Sequence, residues 1–407
     1  MDRRNSGYDR RTTRSRELGS EHPRRRSRRE LERQRERKKK LMAKRVTIVT
    51  IMILILILIV TAVVAGVRAL ISSGDKKSKE NTTPTVAATE SKEEITFKAP
   101  EIEDDKKSKG YFSTLNSGVF IYNKSALELF SGTDESAIEY AECISDFKTS
   151  VKDEITVYNM VVPSHIEFAL PERVKKENSV NTNSQADFIK SVYTNYIDDV
   201  IPINCYNELS EHSKEYLYFN TDNYWTGLGA YYGYKAFCEQ TDQRVLDLSV
   251  CKENTIEGFE GELAYCDSGL YENLDTVYFW TFPYSTYAMR TDSMGSSPYE
   301  TSVYFEGESS GPYAYGVFIW GDCPTFVEYN KDLTNGKKIA VVKDSFGNAM
   351  VPYLTANYEE VHVIDYSYYE DNLKTYCQDN GITEVLFVNS TLTANSQTQI
   401  ENLYSLY

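Results

Sequence analysis

The sequence predicts an α/β domain with a mostly parallel sheet covered on both faces, set outside a membrane behind one N-terminal transmembrane helix. Three observations predict it. Short β-branched runs alternate with helical patterns toward the C-terminus, as in Lys338–Val342, Val361–Asp365 and Glu384–Val388 with helices between them. Residues 46–67 carry no charge at all. Charge is also split about that run: the first 45 residues hold 19 Lys or Arg against 7 Asp or Glu, net +12, and the rest is net −27 within a total of −15. The pattern excludes a plain cytosolic enzyme, and the acidic bulk excludes a nucleic-acid-binding surface there.

The uncharged run, VTIVTIMILILILIVTAVVAGV, is 22 residues long. As a helix it spans about 33 Å, enough for a hydrocarbon core of ~30 Å. It exceeds the roughly 7–15 apolar residues of a signal peptide, so an uncleaved anchor is expected. Arg33, Arg35, Arg37, Lys38, Lys39, Lys40, Lys44 and Arg45 crowd its N-terminal side. The positive-inside rule therefore places the N-terminus in the cytoplasm and the bulk of the chain outside. The expected organisation is a basic disordered cytoplasmic tail (1–45), a transmembrane helix (46–67), a flexible stalk (68–94) and an extracytoplasmic domain (95–407). The tail has no aromatic interleaving beyond Tyr8, so contact with anionic lipid head groups is the expectation and nucleic acid is not.

Within the domain the elements follow in order. Asp134–Val151 has a helical apolar period, and Ile155–Val162 is a β-rich run ending at Pro163. Ser184–Tyr196 is helical with Ser184 placed to cap, and Thr226–Glu239 is a helix with small residues on one side. The stretch 250–318 is rich in Tyr, Thr, Ser and Gly and reads as a β-rich insertion or sub-lobe. After it come a strand at Lys338–Val342, a helix at Phe346–Ala356, a strand at Val361–Asp365, a helix at Asn372–Asp379, a strand at Glu384–Val388 and a closing helix at Asn395–Leu406. The seven cysteines form no Cys-x-x-Cys pair and no metal-ligand cluster. Most read as buried small apolar residues, and a local bridge between Cys251 and Cys266 is left open.

The strongest chemical signal is KIAVVKDSFGNAM at 338–350. A buried strand runs into Asp344 and Ser345 at a tight bend, and open α/β sheets place ligands at that edge. Helix N–H groups beyond the bend would face a developing oxyanion. The plain alternative is a helix-capping serine with Asp344 as turn former. No phosphate loop or metal cluster is present, so no cofactor and no metal are expected.

VKDSFGNAMVPYL followed by VHVIDYSYY resembles the nucleophile block of the DHHW family, within the SGNH-hydrolase-like superfamily and related to alginate O-acetyltransferase-type proteins. YFNTDNYWTGLGAYYGYKAF at 218–237 resembles that family's Asp-His-His-Trp signature, and YNMVVPSHIEFALP, SQADFIKSVY and YGVFIWG support the match in family order over roughly residues 110–400. The resemblance implies a flavodoxin-like three-layer α/β/α fold and acyl-ester chemistry. Ser345 would be the nucleophile, Asp222 the acid that orients a base, and Trp225 would pack beside them, with Gly321, Asp322, Gly347 and Asn348 in the substrate and oxyanion region. Its implied partners are a cell-envelope polysaccharide or its acyl donor and a membrane protein that exports acyl groups.

The signature is altered, reading Asp222-Asn223-Tyr224-Trp225, so Tyr224 stands where the base is expected. A phenol of pKa ~10 does not replace an imidazole of pKa ~6.5 at neutral pH. Asp322 is a second departure, because a carboxylate there opposes an oxyanion. Of four histidines, His22 lies in the tail, His212 in a polar stretch and His362 inside a strand, which leaves His165, after the strand ending at Pro163, as the replacement base. Two functions follow: a surface-glycan O-acetyltransferase or acetylesterase, or an inactive relative that binds glycan or scaffolds envelope assembly.

Overall fold

The computed structural model describes residues 95–407 apart from 198, 306, 308 and 309. The expected tail, transmembrane helix and stalk lie outside the described residues, among which no helix is long and apolar enough to cross a membrane. Residues 95–110 lie without regular structure ahead of the first strand. This leading strap is pinned by side chains. The Thr96 carbonyl accepts from Asn204 Nδ2 (3.1 Å) and Asn207 Nδ2 (3.0 Å), and Lys98 N–H donates to Asn207 Oδ1 (2.9 Å). Lys98 pairs with Glu211, and Lys214 Nζ lies 2.9 Å from Glu101.

The strap leads into a small antiparallel meander, β1 (Tyr111–Phe112), β2 (Val119–Tyr122) and β3 (Ser125–Glu128). Helix α1 (Asp134–Val151) follows, capped by Thr133, and then β4 (Thr156–Val162). Helix α2 (Gln185–Thr194) starts where Ser184 Oγ accepts from the Asp187 N–H at 3.1 Å, and β5 (Val200–Pro202) follows it. Helix α3 (Gly227–Gln240) is capped by Thr226, whose hydroxyl accepts from the Gly229 N–H at 3.2 Å. The remaining elements are β6 (Lys252–Phe259), β7 (Asp275–Thr281), β8 (Thr286–Thr291), β9 (Tyr299–Thr301), β10 (Thr325–Asn330), β11 (Lys338–Lys343), β12 (Glu360–Asp365), α4 (Leu373–Asn380), β13 (Glu384–Ser390) and α5 (Gln397–Tyr404).

The central sheet has eight strands in the order β5-β4-β13-β11-β12-β10-β8-β9. Strands β5, β4, β13, β11 and β12 are mutually parallel, whereas β10, β8 and β9 add antiparallel. The sheet is therefore mixed rather than mostly parallel throughout. Parallel neighbours need crossover connections of a dozen or more residues, and the short loop between β8 and β9 leaves no room for one. The expected insertion at 250–318 is not one sub-lobe either: β6 and β7 form a separate two-stranded ribbon, and β8 and β9 extend the central sheet. In β11, every residue from Ile339 to Lys343 is buried, as expected of a strand covered on both faces. All seven cysteines are free thiols, six of them buried, and no bridge joins Cys251 to Cys266.

One residue works against the fold. Glu328, in the middle of β10, is fully buried and neither carboxyl oxygen has a partner. Burial pushes its pKa well up, so it is carried as the neutral acid. An orphaned buried polar group costs about 1–3 kcal/mol. Glu328→Leu is expected to raise the unfolding free energy by that order in urea titrations at neutral pH, and a destabilised variant would mean the carboxyl has an unseen partner.

Candidate active site

Three parallel strands end side by side at one edge. Residues just beyond β11 (Asp344, Ser345), β12 (Tyr366, Ser367, Tyr368) and β13 (Ser390, Thr393) line a cavity of about 380 Å³. This is where open α/β sheets hold ligands. Asp344 fixes the bend: one oxygen accepts from the Phe346 N–H (3.1 Å), the other from the Ser390 N–H (2.8 Å) and hydroxyl (2.9 Å). Burial raises its pKa, and the Ser390 bonds work against that rise. Asp344 therefore holds the turn, while the Ser345 hydroxyl is bonded elsewhere.

Beyond the bend the chain forms a 3-10 turn, Ser345–Ala349, and a short α-helix, Val351–Leu354, in place of the expected helix over Phe346–Ala356. Pro352 explains the break, because it has no N–H to donate back to Asn348. The long helix dipole expected to favour an oxyanion is reduced accordingly.

Ser345 is half-buried, and its Oγ donates to Asp322 Oδ2 at 2.8 Å. Asp322 Oδ1 accepts from Asn348 Nδ2 at 2.9 Å and pairs with Lys343 Nζ at 2.9 Å. Lys343 is buried and reaches Asp365 Oδ2 at 2.6 Å. Burial alone would raise the Asp322 pKa, but the Lys343 charge and its hydrogen bond hold it well below the ordinary carboxylate range. Burial opposes the charge on Lys343, yet Asp365 and Asp322 hold its pKa above normal. Desolvation raises the Asp365 pKa despite that neighbour. Gly347 makes room for this arrangement, since a Cβ there would lie 2.6 Å from Lys343 Cβ. Asn348 keeps a buried Oδ1 with no partner.

Asp322 is aimed by a strained approach. Ile319, Trp320 and Gly321 are consecutively left-handed, with φ of 48°, 62° and 70°. Only the last is glycine, and a bulky residue in that region is strained. Arg290 Nη1 donates to the carbonyls of Ile319 (3.2 Å) and Trp320 (3.0 Å), and Nη2 to that of Asp322 (3.2 Å). One guanidinium thus clamps the run that delivers Asp322 to Ser345.

Asp222 is buried and accepts from the backbone N–H groups of Tyr224 (3.1 Å) and Glu262 (2.8 Å). The Tyr224 ring stacks on Tyr315 at 4.5 Å. Burial pushes the Tyr224 phenol far above its ordinary range, while a hydrogen bond with the Ser345 side chain works the other way. Trp225 Nε1 donates to the Phe346 carbonyl (2.7 Å), and the Tyr315 hydroxyl donates to the Ser345 carbonyl (3.0 Å). Trp225 therefore holds the turn that carries Ser345. The structure brings Ser345, Tyr224, Asp322 and Asn348 together, with Asp222 bonded to the Tyr224 backbone.

It does not bring His165 to them. That ring stacks on Tyr218 at 5.3 Å and lines a different cavity, as its position after β4 dictates: in the sheet, β13 separates β4 from β11. His362 is buried and bonded to Tyr376 and Glu360, and His212 is paired with Glu215.

Burial pushes the Asp222 pKa up to about 7, against its backbone hydrogen bonds. A carboxyl raised on folding keeps its proton where the unfolded chain has lost it. Its stabilising contribution is therefore complete below about pH 4 and is lost as the pH rises toward about 7, by at most about 4 kcal/mol. Unfolding free energies across this range are expected to fall less steeply for Asp222→Asn than for the native protein; parallel curves would remove Asp222 as a source.

Residue reading missed Lys343, Asp365, Arg290 and Tyr315. The one available signal was Lys343, a charge closing the apolar run IAVV just before the bend.

A serine on a bend after a buried strand, at the C-terminal edge of the parallel strands, defines an α/β protein with its candidate site at the strand ends. A sequence model of the DHHW protein family matches residues 99–364, and the chain belongs to that family. A crystallised DHHW family protein from Eubacterium siraeum is 31% identical, with a TM-score of 0.65 over 72% of this chain and 97% of that one. PatB1 of Bacillus cereus, solved with a sulfonyl adduct, is 19% identical, with a TM-score of 0.56 over 69% of this chain and 96% of that one, and it supports the fold alone. The O-acetyltransferase domain of Pseudomonas putida AlgJ lies further off, at 11% identity and a TM-score of 0.41 over 74% of this chain and 100% of that one. None of the curated proteins matches the chain.

Proposed function

We propose that the chain is a glycan-binding protein of the outer cell surface, anchored by residues 46–67, whose acyl-transfer site has lost turnover. The observation that carries this reading is the 2.8 Å hydrogen bond from Ser345 Oγ to Asp322. A general base must accept a proton near the working pH. Asp322 is held ionised below the ordinary range, Tyr224 stays a neutral phenol and Lys343 stays charged. None of the three takes the serine proton at neutral pH, and the Asp322 charge opposes an oxyanion beside Ser345.

What remains is a recognition cleft. It presents hydroxyls, carboxylates (Glu128, Asp322, Asp365) and tyrosine faces, including the exposed Tyr368. Aromatic faces beside hydrogen-bonding groups suit sugar rings, and the acidic lining favours neutral or amino-bearing sugars of a cell-envelope polysaccharide. A second reading keeps turnover: an O-acetyltransferase or acetylesterase in which Ser345 attacks and Asp322 serves as a weak base, supplied by an acyl-exporting membrane partner. The retained serine, half-exposed and bonded to a carboxylate, favours it. On a glycan array the protein is expected to bind with the same affinity as Ser345→Ala, and to release acetate from a chromogenic ester no faster than that variant. An array with no binder above background overturns the first reading; ester cleavage that depends on Ser345 establishes the second.

A further inference from the structure

His165 is left without a catalytic partner, yet its surroundings are organised. It walls a second cavity of about 240 Å³ that shares no lining residue with the Ser345 cleft. The leading strap closes one side with Glu101, Ile102 and Glu103; the turn between β2 and β3 contributes Tyr122, Asn123 and Ser125. Tyr218 forms a ring stack with His165 (5.3 Å, 9° between planes) on one hand and Phe168 (5.7 Å, 18°) on the other.

The polar groups here divide into those that are satisfied and those that are not. The Tyr218 hydroxyl donates to the Pro163 carbonyl at 2.6 Å, and the Tyr216 hydroxyl donates to Asp275. By contrast, His165 Nδ1 and the Tyr122 hydroxyl are buried with no hydrogen-bond partner, and Tyr122 is only 3% exposed. Burial pushes the His165 pKa down to about 4, so the imidazole is neutral at pH 7. A neutral ring that carries its proton on Nε2 presents the unpartnered Nδ1 as an acceptor.

This chemistry selects the occupant. An apolar ligand would leave both groups orphaned, at about 1–3 kcal/mol each. An anion would meet Glu103 and Glu215 at the wall, where Lys214 is already paired with Glu101. Ring hydroxyls above aromatic faces, in a space for one ring, meet every demand. We propose that this cavity is a saccharide subsite taking one neutral or amino-bearing pyranose, with one hydroxyl donating to His165 Nδ1 and a second bonded to the Tyr122 hydroxyl. It rests on the glycan reading for its ligand class and is separate from the cleft in its residues.

The test uses the full chain with N,N′-diacetylchitobiose and D-glucosamine as probes. Long-range imidazole NMR on ¹⁵N-labelled protein is expected to show the His165 Nδ1 resonance moving on titration while those of His212 and His362 stay. His165→Phe, which keeps the ring stack, and Tyr122→Phe are each expected to weaken this binding about tenfold; Tyr313→Ala, an exposed position outside both cavities, is not. A His165 signal unmoved at millimolar sugar, or affinity unchanged in both Phe variants, overturns the subsite, whose occupant is then water only. Loss of all binding in Tyr368→Ala alone overturns the subsite and leaves the cleft reading standing, whereas no binding anywhere removes both. Should His165→Phe fail to fold, the Tyr122→Phe titration and the wild-type spectrum decide.

Discussion

The double variant Tyr224→His, Asp322→Asn is expected to hydrolyse a chromogenic acetyl ester about 10²–10⁴ times faster than the native protein, the range a positioned general base contributes. Tyr224 lines the cleft with Ser345, and Asp222 accepts from its backbone N–H, so an imidazole at 224 would stand beside the serine with a carboxyl two residues before it. Asp322→Asn removes the charge that holds Ser345 Oγ and frees Asn348 Nδ2 for an oxyanion. Neither change alone is expected to suffice. With Tyr224→His alone, the new imidazole still faces a hydroxyl captured by Asp322; with Asp322→Asn alone, the serine still lacks a base. Rates no higher than those of the same double variant carrying Ser345→Ala would end this account of the lost activity.

Lys343→Met is expected to cost about 3–5 kcal/mol of folding free energy, the loss seen when one partner of a buried ion pair is removed. Its ammonium is the cation between Asp322 and Asp365, at 2.9 and 2.6 Å. Without it two carboxylates face each other in a poorly solvated pocket. Adding Asp322→Asn and Asp365→Asn should recover most of the loss, because the cost lies in uncompensated charge rather than in packing. Equilibrium urea unfolding of the three proteins measures this; a single variant as stable as the native protein would mean the triad carries no net energy. The Asp322 share has a defined pH window. Its folded pKa is depressed, so that stability is complete above about pH 4 and declines only in stronger acid.

Much of the scaffold was legible in the sequence because its signals are local. Apolar runs such as EVLFV and KIAVV became β13 and β11, and Ser184 and Thr226 cap the helices they precede. Strand order was not legible, since it depends on contacts far apart in the chain. That is why His165, rightly read as following a strand, lies away from Ser345. Lys343 and Asp365 meet because they are register partners at the ends of β11 and β12, and Arg290 reaches Asp322 only because β8 joins β10 in the central sheet. The altered signature was fully legible, and Tyr224 does stand next to the serine. What could not be read was the lysine that turns Asp322 from an obstacle into a fixed ionic partner.

The leading strap has a mechanical consequence. It enters no sheet, and it is held by hydrogen bonds at Thr96 and Lys98, by the exposed ion pairs of Lys98 and Lys214, by the forked Arg173–Asp104 pair and by Phe97 packed on Tyr206. Exposed pairs of this kind contribute about 0–1 kcal/mol each. A load pulling on the domain from its N-terminal side meets these fasteners one at a time, long before it reaches the five parallel strands. The strap is also one wall of the His165 cavity. Tension along the strap would therefore load that wall of the cavity before it loads the central sheet.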